Sequence, residues 1–336
     1  MRFLLTLSFF LSLGSFLSAQ HTFSIVAVDV ETGEVGSAGA TCLTSADCGG
    51  CGGAVIISDL VPGRGAMNAQ ATVCIPNSNL NTGIVQMQIG DAPDEVLAYV
   101  LANDNCAFGD TGDRQYGIVD ISPDGEARST AYTGGNALDY ANHIIGPNYA
   151  IQGNILLGQE VLDGMEAGFL NTEGSLAEKL MGAMQGANIP GADIRCLDDG
   201  LSSESSFLRV AVPEDIIGPS LDLIVGATLP GVDPIDSLQT LFDEYLVTVG
   251  TQEVAKESWQ IQVFPNPTTD AVVFRNLTGA ELQLRLLNLV GQVQWQGLAQ
   301  KGDNSLNLSE LEEGQLYLLE VRNGQNELVR TLRLLH

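Results

Sequence analysis

The chain has 336 residues, 45% of them hydrophobic and 6% aromatic, and a formal net charge of −27. Its length holds two domains at roughly 100–200 residues each, and its acidity argues against nucleic acid or anionic lipid as partners. With only three histidines, His21, His143 and His336, a multi-histidine metal site lacks ligands, and no metal or other cofactor is expected.

Arg2 gives a positive start, Phe3–Leu17 an apolar run and Ser18-Ala19-Gln20 a small-residue cleavage site, so residues 1–19 read as a signal peptide. The run falls short of the roughly 18 residues a membrane helix needs, and no later stretch reaches that length. No membrane span is expected. A strand follows at once, Thr22–Asp29, and Val35–Cys42 returns from the Glu31–Glu34 turn as a hairpin. Ala54–Leu60 and Ala66–Cys74 read as further strands. Asp91, Pro93 and Glu95 open a helix over Val96–Leu101. Gln115–Ile121 and Ala127–Tyr132 flank a Pro123-Asp124-Gly125 turn. His143 falls in a loop before a strand at Tyr149–Leu157. Helices follow at Glu160–Phe169 and Ser175–Met184, the second with a Ser175/Glu178 capping box. Ser206–Val212 and Leu221–Val225 are strands, and Pro234–Leu246 is an amphipathic helix. This grouping of strands and helices predicts an α+β layered fold.

Beyond a junction near Thr248–Ser258 the pattern turns to short strands alone, from Ala271–Asn276 to Leu328–Leu334, which predicts a small all-β sandwich. Charge supports the division. Gln20–Trp259 holds 33 acidic against 7 basic residues, whereas Gln260–His336 holds 8 against 6. All six cysteines lie in the acidic part. In an exported protein they read first as disulfides, in one of 15 pairings, although Cys48-Gly-Gly-Cys51 also has the spacing of a redox pair or half a zinc site. Loop carboxylates such as Asp104, Asp110 and Asp113, or Asp193, Asp198 and Asp199, are the candidate calcium ligands, without EF-hand spacing.

Two features point to chemistry. Thr22 begins a strand just after the leader, the position of the nucleophile in hydrolases that use a chain-terminal Thr with its own α-amine as base. Asn68 and Gln70 alternate on one strand, and Gln152 and Asn154 on another, so each pair shares a face. Those faces either line a pocket, as donors to an oxyanion or a substrate, or must be hydrogen-bonded in a core. A triad built on His143 would need a nucleophilic Ser, and no Gly-x-Ser-x-Gly elbow occurs.

The segments TFSIVAVDVETGEVG, GRGAMNAQATV, GDAPDEVLAYVLAND, RQYGIVDISPDGEA, NHIIGPNYAIQGNIL and GADIRC resemble, in this order, the DUF1028 family, assigned to the N-terminal-nucleophile (Ntn) hydrolase superfamily. The resemblance implies an αββα sandwich with Thr22 as nucleophile and His143, Gln152, Asn154, Asp193 and Arg195 in or near the site; with the strand faces above, Thr22, His143, Gln152 and Asn154 are the candidate catalytic groups and Asn68, Gln70, Asp193 and Arg195 the candidate substrate-binding ones. It further implies hydrolysis of a small amide or peptide, cell-wall derived in one version; the residues ahead of Thr22 and the partial appended segment support the alternative, a non-catalytic scaffold binding cell-wall or other surface ligands. Gln20 and His21 stand ahead of Thr22, where relatives begin at the Thr itself, so a further cut is required to free its amine. Leu221–Leu246 is similar to the start of an appended domain, giving boundaries at 20–213, 214–258 and 259–336. The last of these resembles a type IX secretion sorting domain, through VFPNPTTD, LLNLVGQV and LNLSELEEGQLYLLEV. That implies the type IX machinery as a partner and a secreted or surface-attached protein of a Bacteroidota-type cell.

Overall fold

The computed structural model of the protein describes residues 22–106, 110–138, 140–250, 261–264, 271–277, 280–288, 292–309, 311, 315–324 and 328–335. The expected leader, the Gln20-His21 junction, most of the linker and most of the VFPNPTTD segment lie outside these residues. The chain divides into two compact units, Met1–Asp243 and Glu244–His336.

In the first unit β1 (Thr22–Asp29) and β2 (Glu34–Thr41) form the expected hairpin, turned by Gly33 at φ 74°. Next come β3 (Ser58–Val61), β4 (Gly65–Ala71), α1 (Ser78–Ile89), α2 (Pro93–Ala102), β5 (Arg114–Ile121) and β6 (Ala127–Thr133). Then follow β7 (Asn142–Ile145), β8 (Tyr149–Gly153), α3 (Gln159–Asn171), α4 (Leu176–Gly186), β9 (Ser205–Ala211), β10 (Leu221–Val225) and α5 (Pro234–Gly250). One antiparallel sheet runs β10-β9-β2-β1-β8-β7 and the other β3-β4-β5-β6. α1 and α2 cover the smaller sheet, and α3 and α4 the larger, so the layers run helix, sheet, sheet, helix. This is the expected αββα arrangement.

Strand parity builds the layers, because alternate residues face opposite sides. Met67, Ala69, Tyr116 and Ile118 turn outward to meet Leu80, Ile84, Met87, Val96 and Val100 of α1 and α2. Val26, Val28, Val35, Ala66, Val119 and Ala150 turn inward and fill one end of the space between the sheets. The other end is polar.

Several elements differ from expectation. Ala54–Leu60 is no continuous strand: Gly52 and Gly53, at φ 93° and 77°, start a single turn of 3-10 helix at Gly53–Ile57, and β3 begins only at Ser58. α1 has no strong helical signal in Ser78-Asn79-Leu80-Asn81-Thr82-Gly83. It is initiated by Asn77, whose side chain accepts from the Leu80 amide, and ended by Gly90 at φ 113°. His143 lies in β7, not in a loop. Leu221–Val225, placed by sequence in a separate appendage, pairs with β9 as the edge of the larger sheet, and Ile235, Leu238 and Phe242 of α5 are buried.

The cysteines pair as Cys42–Cys196, Cys48–Cys51 and Cys74–Cys106, separated by 154, 3 and 32 residues. In the chain-entropy picture those loops contribute about 5, 2 and 4 kcal/mol against unfolding.

In the second unit β11 (Ile261–Phe264), β12 (Ala271–Asn276) and β15 (Gly302–Asn307) form one sheet. β14 (Val293–Ala299), β13 (Leu282–Leu287), β16 (Leu316–Arg322) and β17 (Leu328–Leu335) form another. Val272, Phe274 and Leu306 of the first and Leu284, Leu286, Leu319 and Val321 of the second share one core. β12 and β13 alternate buried and half-buried residues, the mark of a strand with one face inward. This is the expected all-β sandwich.

Candidate functional site

The polar end of the inter-sheet space gathers around the start of β1. Thr22 and Ser24 point inward from β1, Ser37 and Thr41 from β2, Asn68 and Gln70 from β4, Gln115 from β5 and Gln152 from β8. All of them are buried. Carboxamides without partners in such a place would cost several kcal/mol, and here they bond one another. Gln70 is one hub. Its Nε2 donates to the Thr22 carbonyl at 2.8 Å and to Gln115 Oε1 at 2.8 Å, and its Oε1 accepts from Ser24 Oγ at 2.5 Å. Gln115 is the other. Its Oε1 also accepts from Asn154 Nδ2 at 3.0 Å, and its Nε2 donates to Thr133 Oγ1 at 2.9 Å and the Gly153 carbonyl at 2.8 Å. Gln152 Nε2 donates to Ser24 Oγ at 2.6 Å. Its Oε1 is buried with no donor among the described residues, and it lies against Gly117.

His143 reaches this network from β7: its Nδ1 stands 2.9 Å from Thr133 Oγ1. Burial holds its pKa below the ordinary 6.5, so at neutral pH the ring is uncharged. The Thr22 backbone carbonyl also accepts from the Asn154 amide at 3.2 Å. Thr22, Gln70, Gln152, Asn154 and His143 are thus brought into one connected cluster.

Asp193 and Arg195 approach from the other side. In register, Thr41 is the partner of Thr22 on β2. Arg195 Nη2 donates to Thr41 Oγ1 at 3.3 Å and to Asp193 Oδ2 at 2.6 Å. Asp193 is fully buried, and its Oδ2 also accepts from the Cys42 amide at 2.9 Å. The Cys42–Cys196 bridge fastens this short loop to the end of β2. Asn68 lies deeper, accepting from Ser37 Oγ at 2.8 Å and donating to the Ile25 carbonyl at 3.3 Å.

Outside the polar end, a cleft of about 270 Å³ is lined by Thr44, Asp199, Leu201, Glu204 and the Thr228–Gly231 turn. The Glu204 amide donates to the Thr41 carbonyl at 2.9 Å, which sets this cleft beside the β2 end. Burial, helped by Asp47 and Asp199, raises the Glu204 pKa.

The calcium alternatives meet carboxylates already engaged. Asp104 pairs with Arg114 at 2.8 Å and Asp193 with Arg195, so neither offers a cation an uncommitted oxygen set. Cys42, Cys196 and Glu204 lie close enough to hold an ion, but both sulfurs are spent in the disulfide.

Sequence reasoning missed Gln115, Ser24, Thr41 and Gly117. The signal for the β5 pair was present, since Gln115, Gly117 and Val119 repeat the two-residue alternation noted on β4 and β8.

The family model described as a family of unknown function (DUF1028) matches residues 22–237, from the first residue of β1 into α5. The chain belongs to the DUF1028 family. A crystal structure of a DUF1028 protein from Silicibacter pomeroyi is similar at 21% identity, covering 68% of this chain and 90% of that one, with a TM-score of 0.51. At that identity the likeness speaks for the fold. No curated protein matches the chain. A secretion system C-terminal sorting domain matches residues 262–334. This DUF1028 protein therefore carries an address for type IX secretion, with release or attachment at the outer surface. No helix among its described residues is long and apolar enough to cross a membrane.

Proposed function

We propose that the protein is a secreted or surface-attached Ntn-type amidohydrolase acting on a small amide or peptide, cell-wall fragments being the class nearest at hand outside the cell. Removal of Gln20 and His21 frees the Thr22 α-amine. The Thr22 hydroxyl attacks the scissile carbonyl and passes its proton to that amine, which hands it to the leaving nitrogen. Water then hydrolyses the acyl-Thr22 ester by the same route. Gln152 and Asn154 serve the oxyanion, His143 keeps the Thr133–Gln115 side of the cluster in place, and Asn68, Gln70 and the Asp193–Arg195 pair shape the substrate's surroundings. The observation that carries this reading is the buried carboxamide network of Gln70, Gln115, Gln152 and Asn154 beside the first residue of β1, whose carbonyl accepts from Gln70 Nε2 and the Asn154 amide.

N-terminal sequencing of the secreted protein, with a β-lactone acylating probe, tests it. The expected result is a chain starting at Thr22 that gains one acyl group there, and no gain in Thr22→Ala. A mature chain starting at Gln20 or His21 that stays unlabelled overturns the proposal.

One observation favours the second reading, a non-catalytic scaffold for surface ligands. Gln70 and Gln115 direct their amide groups at protein acceptors, as a purely structural polar core would. That reading expects retention on peptidoglycan without turnover, and failure to bind removes it.

A further inference from the structure

The three disulfides differ in what a reagent meets. Cys42–Cys196 and Cys74–Cys106 each have a buried half, with Cys196 at 0% and Cys106 at 9% exposure. Exchange begins with a thiolate reaching a disulfide sulfur, and in these two bridges only the half-buried Cys42 or Cys74 sulfur is open to attack, which expels the thiolate on the buried cysteine, where its charge is disfavoured. Breaking either also releases elements far apart in sequence.

Cys48–Cys51 is different. Neither cysteine is buried, and the ring closes over Gly49 and Gly50, which are exposed and have open space where side chains would stand. Its separation of 3 residues cross-links nothing distant, so its loss costs the fold least of the three. Yet its loop is tied to one wall of the cleft beside the β2 end. The Ser45 amide donates to the Gly226 carbonyl at 2.7 Å, the Gly50 amide to the Ser45 carbonyl at 2.7 Å, and the Gly52 amide to Ser45 Oγ at 3.0 Å. Gly226 leads into the Thr228–Gly231 turn, which faces Thr44 across the cleft.

The geometry points to Cys48–Cys51 as a reversible thiol–disulfide exchange site, opened by a small dithiol while the other two bridges stay closed, and loosening the Ser45 turn beside the cleft as it opens. One dithiol sulfur, as thiolate, attacks a sulfur of the bridge and expels the other cysteine as thiolate. The second dithiol sulfur then displaces the mixed disulfide. The products are two cysteine thiols and a cyclic disulfide, so two electrons and two protons pass from the reagent to the protein. This inference stands apart from the proposed hydrolysis, since no readout below involves Thr22.

The test treats the intact protein with graded dithiothreitol, quenches with N-ethylmaleimide and maps the labelled peptides. Labels are expected on Cys48 and Cys51 at dithiol concentrations at least about tenfold below those that label any other cysteine. Amide exchange at Gly50 and Gly52 is expected to rise over the same range. A Cys48→Ser/Cys51→Ser variant should take no label there and should exchange fast at Gly50 and Gly52 without reductant. Labelling of the other cysteines first or together, no labelling short of global unfolding, or unchanged exchange at Gly50 and Gly52 each overturns the inference.

Discussion

Gly117 on β5 and Gln152 on β8 face each other across the gap between the sheets, so closely that a methyl group on Gly117 would overlap the Gln152 carboxamide oxygen. Glycine inside a strand ordinarily weakens it, and here it makes room for another side chain. The overlapping atoms are the far end of Gln152, so Gly117→Ala displaces that end and strains its bond to Ser24 Oγ. The expected outcome is a modest stability loss, about 1–2 kcal/mol by urea denaturation. On the proposed mechanism, acylation at Thr22 should fall by more than that loss explains.

Asp193 is buried beneath Arg195 and the Cys42 amide. Asp193→Ala removes the acceptor for both and leaves the guanidinium without its nearest counter-charge. Because Arg195 keeps contact with water at 29% exposure, the cost should fall below that of a fully buried pair, about 2–3 kcal/mol. Asp193→Asn keeps an oxygen for the Cys42 amide and should lose less. Urea midpoints of the two variants against the parent check the order.

Acid should weaken the fold through His143. Its folded pKa lies below the ordinary 6.5 because burial disfavours the charged ring. The unfolded chain therefore binds the proton first, and stability falls as pH drops from about 6.5 towards the folded value. Above that window the contribution is whole. His143→Gln lacks this protonation and should show a flatter stability profile between pH 7.5 and 5, measured by thermal denaturation.

Removing the bridges pairwise by Cys→Ser should rank them by loop length. Loss is expected to be greatest for Cys42–Cys196, intermediate for Cys74–Cys106 and smallest for Cys48–Cys51. Differential scanning calorimetry gives the order directly.

Much of the architecture was legible because its signals are local. The β1–β2 hairpin, the Ser175/Glu178 capping box and the one-sided alternation of β12 and β13 each follow from neighbours a few residues apart. α1 was not, since its weak formers are held helical by the Asn77 cap and by packing on Met67 and Tyr116. β10 was legible as a strand, but its place in the larger sheet was not, because that comes only from β9 beside it. At the site, parity placed the Asn and Gln residues of β4 and β8 on shared faces. That those faces meet, with Gln115 between them, is a fact of sheet stacking that a single strand does not carry.

The space between the two sheets is oily at one end and lined with hydrogen-bonding groups at the other, and the division has a practical corollary. Substitutions selected for heat resistance should collect around Val26, Val119 and Ala150, while those that alter what the molecule recognises should collect around Thr22 and Gln70. Two libraries, each confined to one half, could therefore be screened separately and their winners combined with little mutual interference.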